Sequence, residues 1–103
     1  MPKVELYKSE RNDKKYKIVL IYDNGRIKTI HIGSKGMEDY TTHKDSERKE
    51  RYISRHKARE DWTKSGMETS GFWAKHLLWN EPSLSASIKD IEKTFNVNVI
   101  KRL

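Results

Sequence analysis

Residues 15 to 23 read as a strand with apolar residues on both faces and lead into an Asn–Gly turn, and this pattern constrains the fold more than any other feature. Side-chain alternation separates two faces of one strand: Tyr16, Ile18, Leu20 and Tyr22 on one, and Lys17, Val19 and Ile21 on the other. Asp23-Asn24-Gly25 predicts a tight type I′ hairpin turn, because Asn and Gly readily adopt positive φ angles. With strands at residues 4–8 and 26–32, the pattern predicts a three-stranded antiparallel meander whose second strand is central.

The middle of the chain favours helices. A turn at residues 33–36 ends the meander, and a basic helix is expected from about Thr42 to about Glu60. Residues 72–79 are apolar around most of a helical circumference, which is typical of a buried helix.

The C-terminal part adds one helix and one short strand. Residues 96–103 alternate again and would return to the sheet edge, whereas the preceding helix carries one apolar stripe: Leu84, Ile88, Ile91 and Phe95. We therefore predict an α+β fold, a three- to four-stranded antiparallel β-meander packed with about three helices. It would form one small basic domain with the meander in 1–33, the basic and Trp-rich helices in 34–80, and the last helix and strand in 81–103.

The composition limits the core and points to anionic partners. Hydrophobic residues make up 34% of the 103 residues and charged residues 36%, so the core must be small and depend on the aromatic side chains. The formal net charge is +7, which favours nucleic acid, anionic membranes or acidic proteins as partners. With no cysteine, no signal core and no membrane-length apolar run, we expect a soluble protein made inside a cell and not secreted.

The predicted basic helix carries a one-sided row of cations. At 100° per residue one stripe would contain Lys44, Arg48, Arg51, Arg55 and Arg59, a candidate surface for a partner or for phosphate. Tyr52, Ile53 and His56 would dock the helix on the core. The alternative is an ordinary solvated face, and the one-sided clustering favours binding. Four aromatic residues are candidates for stacking or packing: Tyr52, Trp62, Trp73 and Trp79.

The sequence offers no constellation that indicates catalysis or metal binding. The histidines, His31, His43, His56 and His76, lack the spacing of paired metal ligands, and no nucleophile motif is present. We expect no metal site, no cofactor, no small-molecule substrate and no enzymatic activity. Nucleic-acid binding is the sharper alternative, since the cations could neutralise phosphates and the aromatics could stack on bases. No known nucleic-acid recognition motif accompanies them.

Two dense motifs lie within about residues 33 to 90. The first is Gly33-x-x-Gly36-x-x-Asp39-Tyr40-x-x-His43-Lys44-Asp45-x-x-Arg48-Lys49-x-Arg51-Tyr52-x-x-Arg55-His56, followed by Glu60-Asp61-Trp62. The second is Gly71-Phe72-Trp73-Ala74-Lys75-His76-Leu77-Leu78-Trp79-Asn80-x-Pro82. In both, the sequence resembles a family of short basic proteins encoded mainly by large double-stranded DNA viruses of algae and protists. Where related chains often read Trp-Leu-Leu-Trp, this chain has histidine at the first position.

The resemblance implies a viral context, either in the virion or in the infected host-cell cytoplasm, and carries over no activity, cofactor or catalytic residue. The leading hypothesis is a non-enzymatic minor structural protein of a large DNA virus particle. It would bridge larger subunits, with the basic helix against acidic surfaces and residues 72–79 used for packing. The alternative is a nucleic-acid-binding accessory protein that contacts DNA or RNA phosphates through the same helix. An enzyme would require a pocket with converging polar groups.

Overall fold

The sheet contains four strands and confirms the predicted α+β class. A computed structural model describes residues 2–103, in which the strands are β1 (Lys3–Lys8), β2 (Lys14–Ile21), β3 (Ile27–Ser34) and β4 (Val99–Lys101). Their order is β3-β2-β1-β4, so β2 is internal as predicted. β1, β2 and β3 form the antiparallel meander, whereas β4 pairs in parallel with β1. The prediction of an entirely antiparallel sheet is therefore wrong for β4. The chain reaches β4 from β3 through a long helical connection, and a connection of that length permits parallel pairing with β1.

The hairpin between β2 and β3 forms where the sequence predicts it, but its turn type is different. The Tyr22 amide donates to the Arg26 carbonyl at 2.9 Å, and three residues lie between these two. Gly25 has a φ of +87°, whereas Asn24 is not among the residues with positive φ. The type I′ assignment is therefore wrong, because a three-residue loop needs a single left-handed position and Gly25 supplies it.

The helical part is more divided than the sequence suggests. It comprises α1 (Tyr40–His43), α2 (Ser46–His56), a 3₁₀ turn (Lys64–Gly66), α3 (Ser70–Trp73), a π-helical segment (Ala74–Leu78) and α4 (Leu84–Phe95). The expected single basic helix is wrong at both ends. Lys44 has a left-handed φ of 56° that separates α1 from α2, and α2 ends at His56.

The core lies between one face of the sheet and the helices. The strands contribute Val4, Leu6, Ile18, Leu20, Ile30 and Ile32, and the helical part contributes Phe72, Trp73, Leu77, Leu78, Ile88 and Ile91. Residues 72–79 thus pack mainly within the chain's own core, which leaves less of this segment for a neighbouring subunit than the sequence hypothesis requires. In the described part of the chain, no helix has the length and apolar character needed to cross a membrane.

Candidate partner-binding surface

The basic surface consists of three arginines on α2. Arg48, Arg51 and Arg55 lie at successive helical spacings of three and four residues and share one side of the helix. Lys44 precedes α2, and its Nζ donates to the carbonyls of Thr41 and Pro82, both at 3.0 Å. Arg59 lies beyond the end of α2 in the following turn. The predicted row of five cations is therefore wrong as a single helical stripe, and three of its members form what we call the arginine face.

The arginine face is largely without carboxylate partners. Arg48 Nη1 is 4.0 Å from Glu38 Oε2, at the outer limit of an ion pair. Within residues 2–103, neither Arg51 nor Arg55 has a carboxylate oxygen within 4.0 Å of its guanidinium nitrogens. Three of the four other arginines are paired, Arg11 with Asp13, Arg26 with Glu68 and Arg102 with Glu5, whereas the exposed Arg59 in the turn after α2 forms no ion pair within residues 2–103. The arginine face therefore retains cationic donors for an external anion.

A cleft of about 380 Å³ lies beside the arginine face. One wall comes from Tyr52 and His56 of α2, and a second from the π-helical segment and Trp79. The opposite lip comes from the start of β2, the end of β3 and residues 37–39. Its volume falls within the usual range of ligand-binding pockets, roughly 300–1,000 Å³. Glu38, the weak partner of Arg48, lines this cleft, which places Arg48 beside its mouth, whereas Arg51 and Arg55 line a separate, more open depression together with Glu47 and Glu50.

Stacked rings form the wall beneath α2. The Tyr52 and Trp79 rings are 4.5 Å apart at an interplanar angle of 4°, and His56 stacks on Tyr52 at 4.1 Å. Burial, with a smaller contribution from Glu60, raises the pKa of Tyr52 to about 12. Because these rings cover one another and Tyr52 is 9% exposed, they rigidify the cleft and leave little ring face for a base.

A buried ion pair holds the opposite lip in place. Lys15 Nζ lies 2.6 Å from Asp39 Oδ2, with the two side chains 19% and 4% exposed. Asp39 also caps α1, since its other carboxylate oxygen accepts from the Thr41 amide at 2.9 Å. Removing either partner would leave a buried charge uncompensated. This pair therefore fixes residues 37–39 against the sheet and is not free to bind a ligand.

The remaining predicted aromatics have separate environments. Trp73 is fully buried, and its Nε1 donates to the Met67 carbonyl at 2.7 Å, so it packs in the core. Trp62 is half-buried with Lys75 Nζ 5.6 Å from its ring centroid. Of the four aromatic candidates, the structure brings Tyr52 and Trp79 together at the cleft and keeps Trp62 and Trp73 elsewhere.

Sequence reasoning did not find the cleft or the π-helical segment that forms its wall. A π-helix is a rare local widening that often occurs at functional sites. Nothing in the local sequence distinguishes residues 74–78 from an ordinary apolar α-helix, so no signal was available. Asp39 did carry a signal, because Asp39 and Thr42 have the spacing of a capping box.

The described residues contain no group of three or more His, Asp or Glu side chains that could hold a metal ion. One protein family matches residues 4–56, and it is described as a family of unknown function, DUF5754. No curated protein and no solved structure matches the chain.

Proposed function

The chain belongs to the DUF5754 family, and we propose that it is a non-enzymatic interaction protein whose arginine face docks on acidic surfaces of larger proteins. The observation that carries this proposal is the pairing contrast among arginines. Arg51 and Arg55 on α2, and Arg59 just beyond it, have no ion-pair partner within the described residues, whereas Arg11, Arg26 and Arg102, which lie away from α2, each have one. A guanidinium presents donors in a planar fork that matches a carboxylate, so unpaired arginines on one helix suit a carboxylate-bearing partner.

As a second part of this proposal, the chain is a component of a virus particle. The resemblance of residues 33 to 90 to proteins of large double-stranded DNA viruses supports a minor structural component of the virion. Mass spectrometry of purified particles tests that placement. Absence of the chain from them would remove the virion assignment while leaving the docking surface to be tested separately.

Nucleic acid is the second candidate for the same surface, because arginines also bind phosphates bidentately. The net charge of +7 favours it. The mutual stacking of Tyr52 and Trp79 disfavours it, since their ring faces are already covered and sequence-tolerant binding of single strands relies on base stacking. Contact through the arginine face alone would engage about three phosphates and give a log–log salt slope of roughly −3.

The decisive variant replaces Arg48, Arg51 and Arg55 together with glutamine. Its matched control replaces Lys8, Lys28 and Lys93, three exposed cations outside ion pairs, and so removes the same charge. Fluorescence anisotropy would measure affinity for an acidic peptide, for single-stranded DNA and for duplex DNA at two salt concentrations. We expect the arginine variant to lose about tenfold or more in peptide affinity and the lysine control much less.

Two results would count against docking on acidic protein. Equal losses in the two variants would mean that net charge, rather than the arginine face, drives binding. Tighter binding to DNA than to the acidic peptide, with the salt dependence expected for phosphate contacts, would indicate that the arginine face binds nucleic acid instead.

A further inference from the structure

The cleft adjoins the arginine face at Tyr52 of α2, which Arg48 and Arg55 flank. Tyr52, which lines the cleft, lies four residues after Arg48 and three before Arg55. Residues at these spacings are neighbours on a helix surface. A partner segment whose carboxylates contact Arg48 and Arg55 would therefore pass the mouth of the cleft, with Arg51 on its outer side.

One side of the cleft is apolar, while its lip carries charged side chains. Ala74, Leu78 and Trp79 form one side, and the Met37 side chain stands on the opposite lip at 66% exposure. Exposed methionine is over-used at adaptable binding surfaces because its side chain is flexible and polarisable. This arrangement suits an apolar side chain entering from outside.

The charges around the cleft favour a partner segment that carries acidic residues next to this apolar side chain. Lys14 lines the lip opposite the arginine face, and the Asp39 carboxylate is already neutralised by Lys15. Glu38 is the remaining carboxylate of the lining, and at 4.0 Å it holds Arg48 weakly. A partner carboxylate that displaced Glu38 could approach Arg48 more closely.

We propose that the cleft receives one apolar side chain from an acidic segment of the docking partner, whose carboxylates engage Arg48, Arg51 and Arg55. This rests on the proposed function, since the arginine face supplies the charge complementarity. We call this apolar side chain the anchor. It adds specificity to the attraction between charges, because a side chain buried in a pocket at the centre of an interface contributes specificity and much of the affinity. A second copy of the chain is a poor occupant, because each copy carries a charge of +7.

The test compares two labelled peptides on the full chain. One contains a phenylalanine flanked by aspartate and glutamate, and the other has serine in place of the phenylalanine. We expect the phenylalanine peptide to bind about tenfold more tightly, a difference typical of one well-buried anchor. Glu38→Gln should tighten binding of both peptides, because it frees Arg48.

Filling the cleft should remove the preference for the anchor. Ala74→Phe places a ring among the lining residues, and its matched control Ala58→Phe adds the same ring at an exposed position after α2. Met37→Ser is a second variant, which removes an exposed lip contact without touching the core. With Ala74→Phe or Met37→Ser, the phenylalanine peptide should approach the affinity of the serine peptide, whereas Ala58→Phe should retain the difference.

The outcomes separate the anchor from the docking surface. If the two peptides bind the unmodified chain equally and the arginine variant still loses affinity, the anchor is overturned and the proposed function stands. If neither peptide binds at low salt, the proposed function itself fails. Retention of the anchor preference in both folded cleft variants would also overturn the anchor.

Discussion

The imidazole of His76 lies between two phenyl rings inside the core. Its ring centroid is 4.5 Å from that of Phe72 and 4.9 Å from that of Phe95, and Nε2 lies 2.9 Å from the Trp62 carbonyl. A neutral imidazole protonated at Nε2 donates that hydrogen bond. Burial lowers the pKa of His76 below its ordinary value, so the folded chain favours the neutral form.

His76 should make the folded chain less stable in acid. Because the folded-state pKa is lower than the unfolded one, its contribution is complete above about pH 6.5 and declines as pH falls through the folded pKa. Urea denaturation at a series of pH values would measure the free energy of unfolding. His76→Gln keeps an N–H donor without titrating, so its free energy should fall less over this range. Parallel curves for the two proteins would exclude His76 as the source.

At the scale of elements, the basic segment shows what sequence reasoning missed. Thr42 and Asp45 have the spacing of a capping box, and so do Asp39 and Thr42. The structure uses the second pair for α1 and makes Asp45 the N-cap of α2. Residue spacing alone does not reveal such a break, so the sequence predicted a row of five cations where the structure has three arginines on α2, with Lys44 before the helix and Arg59 after it.

The Asp45 cap should control the order of the first turn that carries Arg48. Its Oδ1 accepts from the amides of Glu47 at 3.0 Å and Arg48 at 3.4 Å. Asp45→Ala should lower the free energy of unfolding by about 1 kcal/mol, whereas Asp45→Asn retains a capping oxygen and should cost less. Thermal denaturation followed by circular dichroism would check that Asp45→Ala destabilises the chain more than Asp45→Asn. An equal loss for both replacements would show that the capping oxygen is not the cause.

At the scale of the whole molecule, local pattern predicted the sheet better than the site. Strict alternation gives the strand faces directly, and Gly25 marks the hairpin. The parallel pairing of β4 with β1 depends on the path of the chain between them, which no local pattern encodes. The cleft likewise joins residues from 14 to 79, and its wall requires a π-helical segment that resembles an ordinary apolar helix in sequence.

The sheet face opposite the helices offers a contrasting surface within the same molecule. β1–β2–β3 register places Val19, Ile21 and Ile27 on the face that does not contribute the buried core residues. Ile27 is 61% exposed there. A partner bound by apolar contact alone would favour this face, whereas a carboxylate-rich partner should favour the arginine face.

The most direct test of the central claim is a nuclear magnetic resonance titration of the isotopically labelled chain with the acidic phenylalanine peptide. Docking on the arginine face predicts saturable shifts at the amides and guanidinium Nε–H groups of Arg48, Arg51 and Arg55, with Val19 and Ile27 unchanged. Shifts confined to the sheet face around Val19 and Ile27, or spread evenly over all surface cations, would contradict it.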